Sequence, residues 1–195
     1  EAGMGKFVES DIFKKLNVAF EVDEGLPTEE NYFRVFYGER QPWWLSIKVE
    51  QQPGHGALLP EMTAPMKIHS IIDKALTFRR AQFEKVAKGD AELGDVCGVN
   101  IVYMKTGTRN DRFSSGFIMN LIPSMAEAGL DIRVPPTITS SDMDAEIKKW
   151  LMCADGKLCP GVKYEFSHKV DVDSVTDIDP GKNDFVRRFY DALRE

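Results

Sequence analysis

The sequence predicts an α+β domain with a mainly antiparallel sheet of five to seven strands and three or four helices packed on it. Three observations predict this fold class. Short runs with a period of two, typical of half-buried strands, recur along the 195-residue chain. Stretches of helical period lie between them and near the carboxyl end. No repeat or low-complexity linker divides the chain, so residues 1–195 are expected to form a single domain.

One hairpin is predicted from two neighbouring runs. Apolar and polar side chains alternate over residues 33–37 and again over residues 43–49. This alternation predicts that Trp43 is buried and that Trp44 lies on the opposite face of the strand.

A second hairpin is predicted over residues 99–122, where the period of two holds on both sides of a polar segment. Its second strand would carry Phe113, Phe117, Met119 and Leu121 on one face. Two further strands are expected at residues 18–22 and 162–172.

Four segments have the spacing of helices: residues 8–16, residues 67–88, a helix capped by Ser141, and residues 184–193. In the second of these, Arg79 would fall within an apolar stripe that runs from Ile68 through Phe83 to Val86. Burying a charge without a partner is costly. A break of the helix near Thr77 is therefore expected, the alternative being a buried and partnered Arg79.

Composition limits the classes of function. The net charge of −6 argues against bulk nucleic acid as a partner, because nucleic-acid-binding surfaces concentrate positive charge. No apolar run is long enough to span a membrane. The chain opens at Glu1 and not at a methionine, which fits a processed protein or a fragment of a larger one.

Cysteine usage favours an intracellular, cytoplasmic setting, with peripheral membrane association left open. Three cysteines are few and odd in number for a secreted scaffold, and no Asn-x-Ser/Thr sequon occurs. Cys153 and Cys159 would form a small disulfide loop in an oxidising compartment. With His168 they have zinc-ligand chemistry, but their spacing matches no usual zinc motif. No metal and no cofactor are predicted, and the acidic residues between Asp171 and Asp179 are interpreted as a solvated loop.

The polar segment of the second predicted hairpin is the leading candidate site. Its cations suit a phosphate or another anion, and its glycine would let backbone N–H groups approach a ligand. Two arginines of the preceding helix are expected to add to the same field. The candidate residues are Lys105, Gly107, Thr108, Arg109, Arg112, Arg79 and Arg80. The chain is accordingly predicted to be a non-catalytic binding module for a phosphate-bearing lipid or protein.

Two alternatives remain open. The first is a hydrolase or transferase built around His55, which lies between two glycines in a long loop. Glu61 or Asp73 would orient the imidazole, and Ser114, Ser115 or Cys97 would act as the nucleophile.

The second alternative is a protein–protein interaction domain that uses the face of Trp44. An exposed indole supplies a large and rigid contact surface. This hypothesis requires that no helix covers that face of the sheet.

Overall fold

The computed structural model describes residues 2–23, 25, 28–29, 31–32, 34–171 and 175–194. The described chain divides into two compact units. One comprises the described residues up to Tyr37 together with those from Thr176 onward, and the other runs from Gly38 to Val175.

The described residues of the first unit form three helices, α1 (Ala2–Val8), α2 (Asp11–Leu16) and α5 (Asp184–Ala192). Ser10 caps α2 by accepting a hydrogen bond from the Phe13 N–H. The rings of Phe20 and Phe185 stack with their centroids 5.7 Å apart. Residues 18–22 are irregular, so the strand predicted there is wrong.

The second unit alternates strands and helices. Its main elements are β1 (Gln41–Glu50), α3 (Ala64–Ala87), β3 (Gly98–Thr106), β5 (Met125–Val134), α4 (Ser140–Leu151) and β6 (Val162–Lys169). The four strands form one antiparallel sheet in the order β3-β5-β1-β6. A β-α-β-β-α-β chain with its first and third strands at the centre is the ferredoxin-like arrangement. Two short strands, β2 (Gly54–His55) and β4 (Leu121–Ile122), pair separately.

One face of the sheet packs on α3 and α4 to form the core. Trp43 is fully buried on this face, and its Nε1–H donates to the Val170 carbonyl over 2.6 Å. Trp44 lies on the other face and is 48% exposed, as the alternation predicted. The largest fully buried side chains are Trp43, Trp150, Leu45, Ile47, Leu130, Ile132, Met143, Ile147, Leu151, Val49, Val99 and Val134.

The α+β class and the mainly antiparallel sheet are confirmed, whereas the details differ. The described residues form five helices, one sheet of four strands and one ribbon of two, so a sheet of five to seven strands is not observed. Neither predicted hairpin exists in the form expected. Residues 34–40 are irregular, and Phe33 lies outside the described residues. β3 pairs with β5 and not with residues 113–121.

Helix α3 is unbroken through Thr77, and Arg79 is exposed. In the second half of the helix the buried side is formed by Ala75, partly by Phe78, and by Gln82. Phe83 is 62% exposed. Because the core uses the Phe78 side of the helix and not the Phe83 side, Arg79 stays in solvent and no break is needed.

At one end of the sheet Glu50 lies between two lysines. Its carboxylate is 2.7 Å from the Lys48 Nζ and 2.7 Å from the Lys163 Nζ. Hydrogen bonds to Lys163 and then to Lys48 lower the pKa of Glu50 from 4.5 to about 2.

We expect this carboxylate to stabilise the fold above about pH 4.5 and to lose that effect as the pH falls toward 2, because its folded pKa lies below its unfolded one. Urea unfolding of the wild type and of Glu50→Gln at several pH values checks this. The difference between the two should be largest at neutral pH and should shrink in acid and in high salt, since the group is exposed. A difference that does not depend on pH would contradict the prediction.

Among the described residues, no helix combines the length and the apolar character needed to cross a membrane.

Candidate active site

A two-stranded ribbon at one end of the sheet carries His55. Gly54 pairs with Ile122 and His55 pairs with Leu121. The Gly56 N–H donates to the Asn120 carbonyl over 2.7 Å. A Cβ on Gly56 would lie 3.2 Å from the Asn120 backbone, so glycine permits this close approach. The loop of His55 is therefore tied by backbone hydrogen bonds to the segment that leads into β5.

The imidazole of His55 is exposed and is held by a single described hydrogen bond. Its Nδ1 accepts from the Ala57 N–H over 3.1 Å. In a neutral imidazole one nitrogen accepts and the other carries the proton. The Nε2–H of His55 is then the donor available to another molecule. In the described part of the chain, this ring forms no hydrogen bond with Glu61, Asp73, Ser114 or Ser115.

A cleft of about 220 Å³ lies at the base of the ribbon. Its apolar side chains come from β4 and from the loop after β2, and they include Leu58, Met62 and Ile122. Leu59 in the same loop is 99% exposed. A hydrogen-bond donor, an apolar cleft and exposed leucines thus occur on one loop.

Two of the predicted nucleophiles are placed unfavourably. The Ser115 hydroxyl is engaged with the Phe117 backbone, donating over 3.1 Å and accepting over 3.3 Å. Cys97 is 2% exposed in the core. Burial raises the pKa of the Cys97 thiol from 9.0 to about 11. Since the thiolate is the nucleophile, Cys97 as a catalytic residue is wrong.

We therefore expect native protein to leave Cys97 unmodified by iodoacetamide at about pH 8, because the thiol is both buried and protonated. The same reagent added in urea should label it fully. Mass spectrometry of the two reactions gives the measurement. Rapid labelling of the native thiol would show that the site is open to reagents.

The predicted basic hairpin tip is a small closed loop. Arg109 forms a bridge with Phe117, and the Ile118 N–H donates to the Thr108 carbonyl over 2.9 Å. Gly107 has a φ of +93°, and a Cβ there would lie 2.8 Å from the Phe117 ring. The space expected to admit a ligand beside Gly107 is thus filled by Phe117.

The positive charge of the hairpin tip is partly compensated by neighbouring groups. The Lys105 Nζ lies 4.0 Å from the Glu127 carboxylate and 4.5 Å from the centre of the Tyr103 ring. The backbone N–H of Arg112 donates to the Asn110 side chain over 3.0 Å in a local turn.

Arg79 and Arg80 lie toward the opposite end of the sheet. The Cys97 N–H donates to the neighbouring Gln82 side chain over 3.3 Å, which fixes this part of α3 beside the start of β3. Lys105 lies eight residues after Cys97, along extended chain, and Arg79 lies one helical turn before Gln82. The distance between Lys105 and the two arginines is therefore about 20 Å. The two basic groups therefore do not form one surface.

The remaining candidate ligands are also assigned. Cys153 and Cys159 form a disulfide, so they do not ligate zinc with His168. The His168 ring packs against Trp44, with the ring centroids 4.8 Å apart. Within the described ranges no group of three or more His, Cys, Asp or Glu side chains could hold a metal ion. The acidic segment from Asp171 to Asp179 includes Asp173, which lies outside the described residues.

No family model matches the sequence. Among curated proteins, the aminoacylase-1 of Dictyostelium discoideum is 39% identical over 181 residues, which cover 91% of this chain and 43% of that protein. The aminoacylase-1 of Sus scrofa is 32% identical over 91% of the chain and 41% of its own length. The chain is similar to aminoacylases. It spans about two fifths of the length of these relatives.

Solved structures give weaker matches. An amidase of the hydantoinase/carbamoylase family from Burkholderia vietnamiensis has a TM-score of 0.47 and 16% identity, over 68% of this chain and 28% of that one. Human carnosine dipeptidase 1 has a TM-score of 0.45 and 12% identity, over 74% and 39%.

The similarity to aminoacylases contradicts the predicted non-catalytic binding module, because these relatives are enzymes by name. It favours the hydrolase alternative. The physical reason for the error is that Lys, Arg, Thr and Gly also build ordinary tight turns. The segment from Lys105 to Arg112 is such a turn, closed on its own backbone and on Phe117.

Proposed function

We propose that this chain is part of an amide hydrolase that releases amino acids from their N-acyl derivatives. The observation that carries the proposal is the similarity to aminoacylases over 91% of the chain, an extent that takes in the loop of His55. In this reaction water adds to the amide carbonyl and the C–N bond breaks, which gives a carboxylic acid and a free amino acid.

In this proposal His55 contributes a hydrogen bond to the reacting amide. Negative charge grows on the carbonyl oxygen as water adds, and a positioned donor stabilises that charge. The Nε2–H of His55 is suited to the task because the Ala57 amide occupies Nδ1 and fixes the orientation of the ring. The apolar side chains of the adjoining cleft, such as Leu58 and Ile122, would contact the acyl group.

The test is a hydrolysis assay on the purified full-length protein. We expect it to release primary amine from a panel of N-acetyl and N-butyryl amino acids, measured with fluorescamine. The matching carboxamide-blocked compounds, assayed alongside, show whether the free amino-acid carboxylate is required. An absence of amine release across the whole panel would refute the proposed function.

A further inference from the structure

A second cavity, of about 570 Å³, lies between α3 and the loop that follows α4. Three of its lining residues are lysines: Lys67 and Lys74 from α3, and Lys149 from α4. No Asp or Glu is among the described residues that line it. The cavity is therefore locally positive on a chain whose net charge is −6.

Backbone carbonyls, and not carboxylates, hold two of these lysines. The Lys67 Nζ donates to the Pro160 carbonyl over 2.6 Å. The Lys74 Nζ donates to the carbonyls of Met152 over 2.7 Å and Trp150 over 3.4 Å, at the carboxyl end of α4. An ammonium has three N–H donors. Both groups are thus held in place with N–H donors left over, and neither forms an ion pair with a carboxylate in the described part of the chain.

The third lysine contributes less charge. The Lys149 Nζ lies 2.7 Å from the Glu146 carboxylate, which compensates it. Lys67 and Lys74 are therefore the groups that would bind an anion.

Apolar groups form the rest of the wall. Ile71 of α3 is almost fully buried, at 3% exposure, and lines the cavity. Met62 and Met152 line it as well. The disulfide between Cys153 and Cys159 holds the neighbouring loop. A cavity of this size with mainly apolar walls and a few charged groups has the composition of a small-molecule site.

We propose that this cavity binds an organic carboxylate with an apolar chain, its carboxylate at Lys67 and Lys74 and its chain against Ile71 and the two methionines. An organic carboxylate suits the site because two ammonium groups, each able to donate to an anionic oxygen, lie beside an apolar wall that can contact the chain. Met62 also lines the cleft beside the His55 ribbon. A ligand in this cavity would contact Met62 of the His55 loop and would leave the imidazole of His55 free to bind another molecule.

Direct binding tests the site, and the readout does not depend on any hydrolase activity. Calorimetry of the full-length protein with octanoate should show saturable binding that weakens as salt is added. Acetate has the carboxylate without the long apolar chain, and 1-hexanol has an apolar chain without the carboxylate. Each should bind at least tenfold more weakly than octanoate. Acetate binding as tightly as octanoate would overturn the assignment of the apolar wall.

Variants locate the binding. Lys67→Gln should weaken octanoate binding about tenfold through loss of a charge-assisted hydrogen bond. Lys88→Gln, at the opposite end of α3, should leave the binding unchanged. Ser70→Trp, at an exposed position of the lining, should block binding without changing the thermal midpoint. Octanoate affinity that is the same in wild type, Lys67→Gln and Ser70→Trp would overturn the proposal.

Discussion

His55→Ala is expected to lower the rate of N-acyl amino acid hydrolysis about 100- to 1,000-fold, the usual cost of removing one preorganised donor to a developing oxyanion. The imidazole is exposed, and its one hydrogen bond to a described residue comes from the Ala57 amide. Its removal should therefore change the free energy of unfolding by less than about 0.5 kcal/mol, as is usual for surface substitutions. We expect kcat to fall more than KM changes, because the donor acts on charge that is present mainly in the transition state.

His69→Ala is the matched control for this variant. His69 is also an exposed histidine, but it lies on α3 and not on the ribbon. It should retain the turnover and thermal midpoint of the wild type. Equal turnover in His55→Ala and wild type would remove His55 from the mechanism, even if the protein proves to be a hydrolase.

The central strand shows what alternation in a sequence can and cannot predict. The period of two over residues 43–49 correctly predicts a buried Trp43 and an outward Trp44. It does not reveal that β1 pairs with β5 and β6 on its two sides, both far along the chain. Alternation records which side of a strand is buried, whereas the choice of partners depends on the packing of the whole sheet.

The candidate site depends on pairing between segments that are far apart in the sequence. β2 and β4 have two residues each, too few to show any periodicity. Only the fold brings His55 beside Leu121, and Gly56 beside Asn120. In the sequence the signals were a histidine between two glycines and the length of its loop, and glycine pairs are frequent in loops without function.

Helix α4 was the most predictable element of the second unit. Met143, Ile147, Trp150 and Leu151 follow the i, i+4, i+7, i+8 spacing that predicts one buried helical face, and all four are buried. The cap is Thr139 and not Ser141, because the Thr139 hydroxyl accepts from the Asp142 N–H over 3.1 Å. Strong periodicity therefore located the buried face, while the end of the helix was set by a local hydrogen bond.

Gly161→Ala is expected to destabilise the second unit by about 3 kcal/mol or more, the sum of backbone strain and overpacking. Gly161 has a φ of +80°, and a Cβ there would lie 2.1 Å from the Glu50 carbonyl oxygen. The obstacle is backbone, so it cannot be relieved by rotating a side chain. The Glu50 N–H donates to the Gly161 carbonyl over 2.9 Å, so moving the chain apart would strain this link between β1 and the start of β6.

Gly156→Ala separates the two contributions. Gly156 has a nearly equal φ of +74°, but nothing lies within 4 Å of its Cβ position. It should cost only about 1–2 kcal/mol, the penalty of the left-handed conformation alone. Urea unfolding followed by tryptophan fluorescence suits both variants, because Trp43, Trp44 and Trp150 all lie in the second unit. Equal losses in the two variants would mean that β1 and Gly161 do not approach as closely as the fold requires.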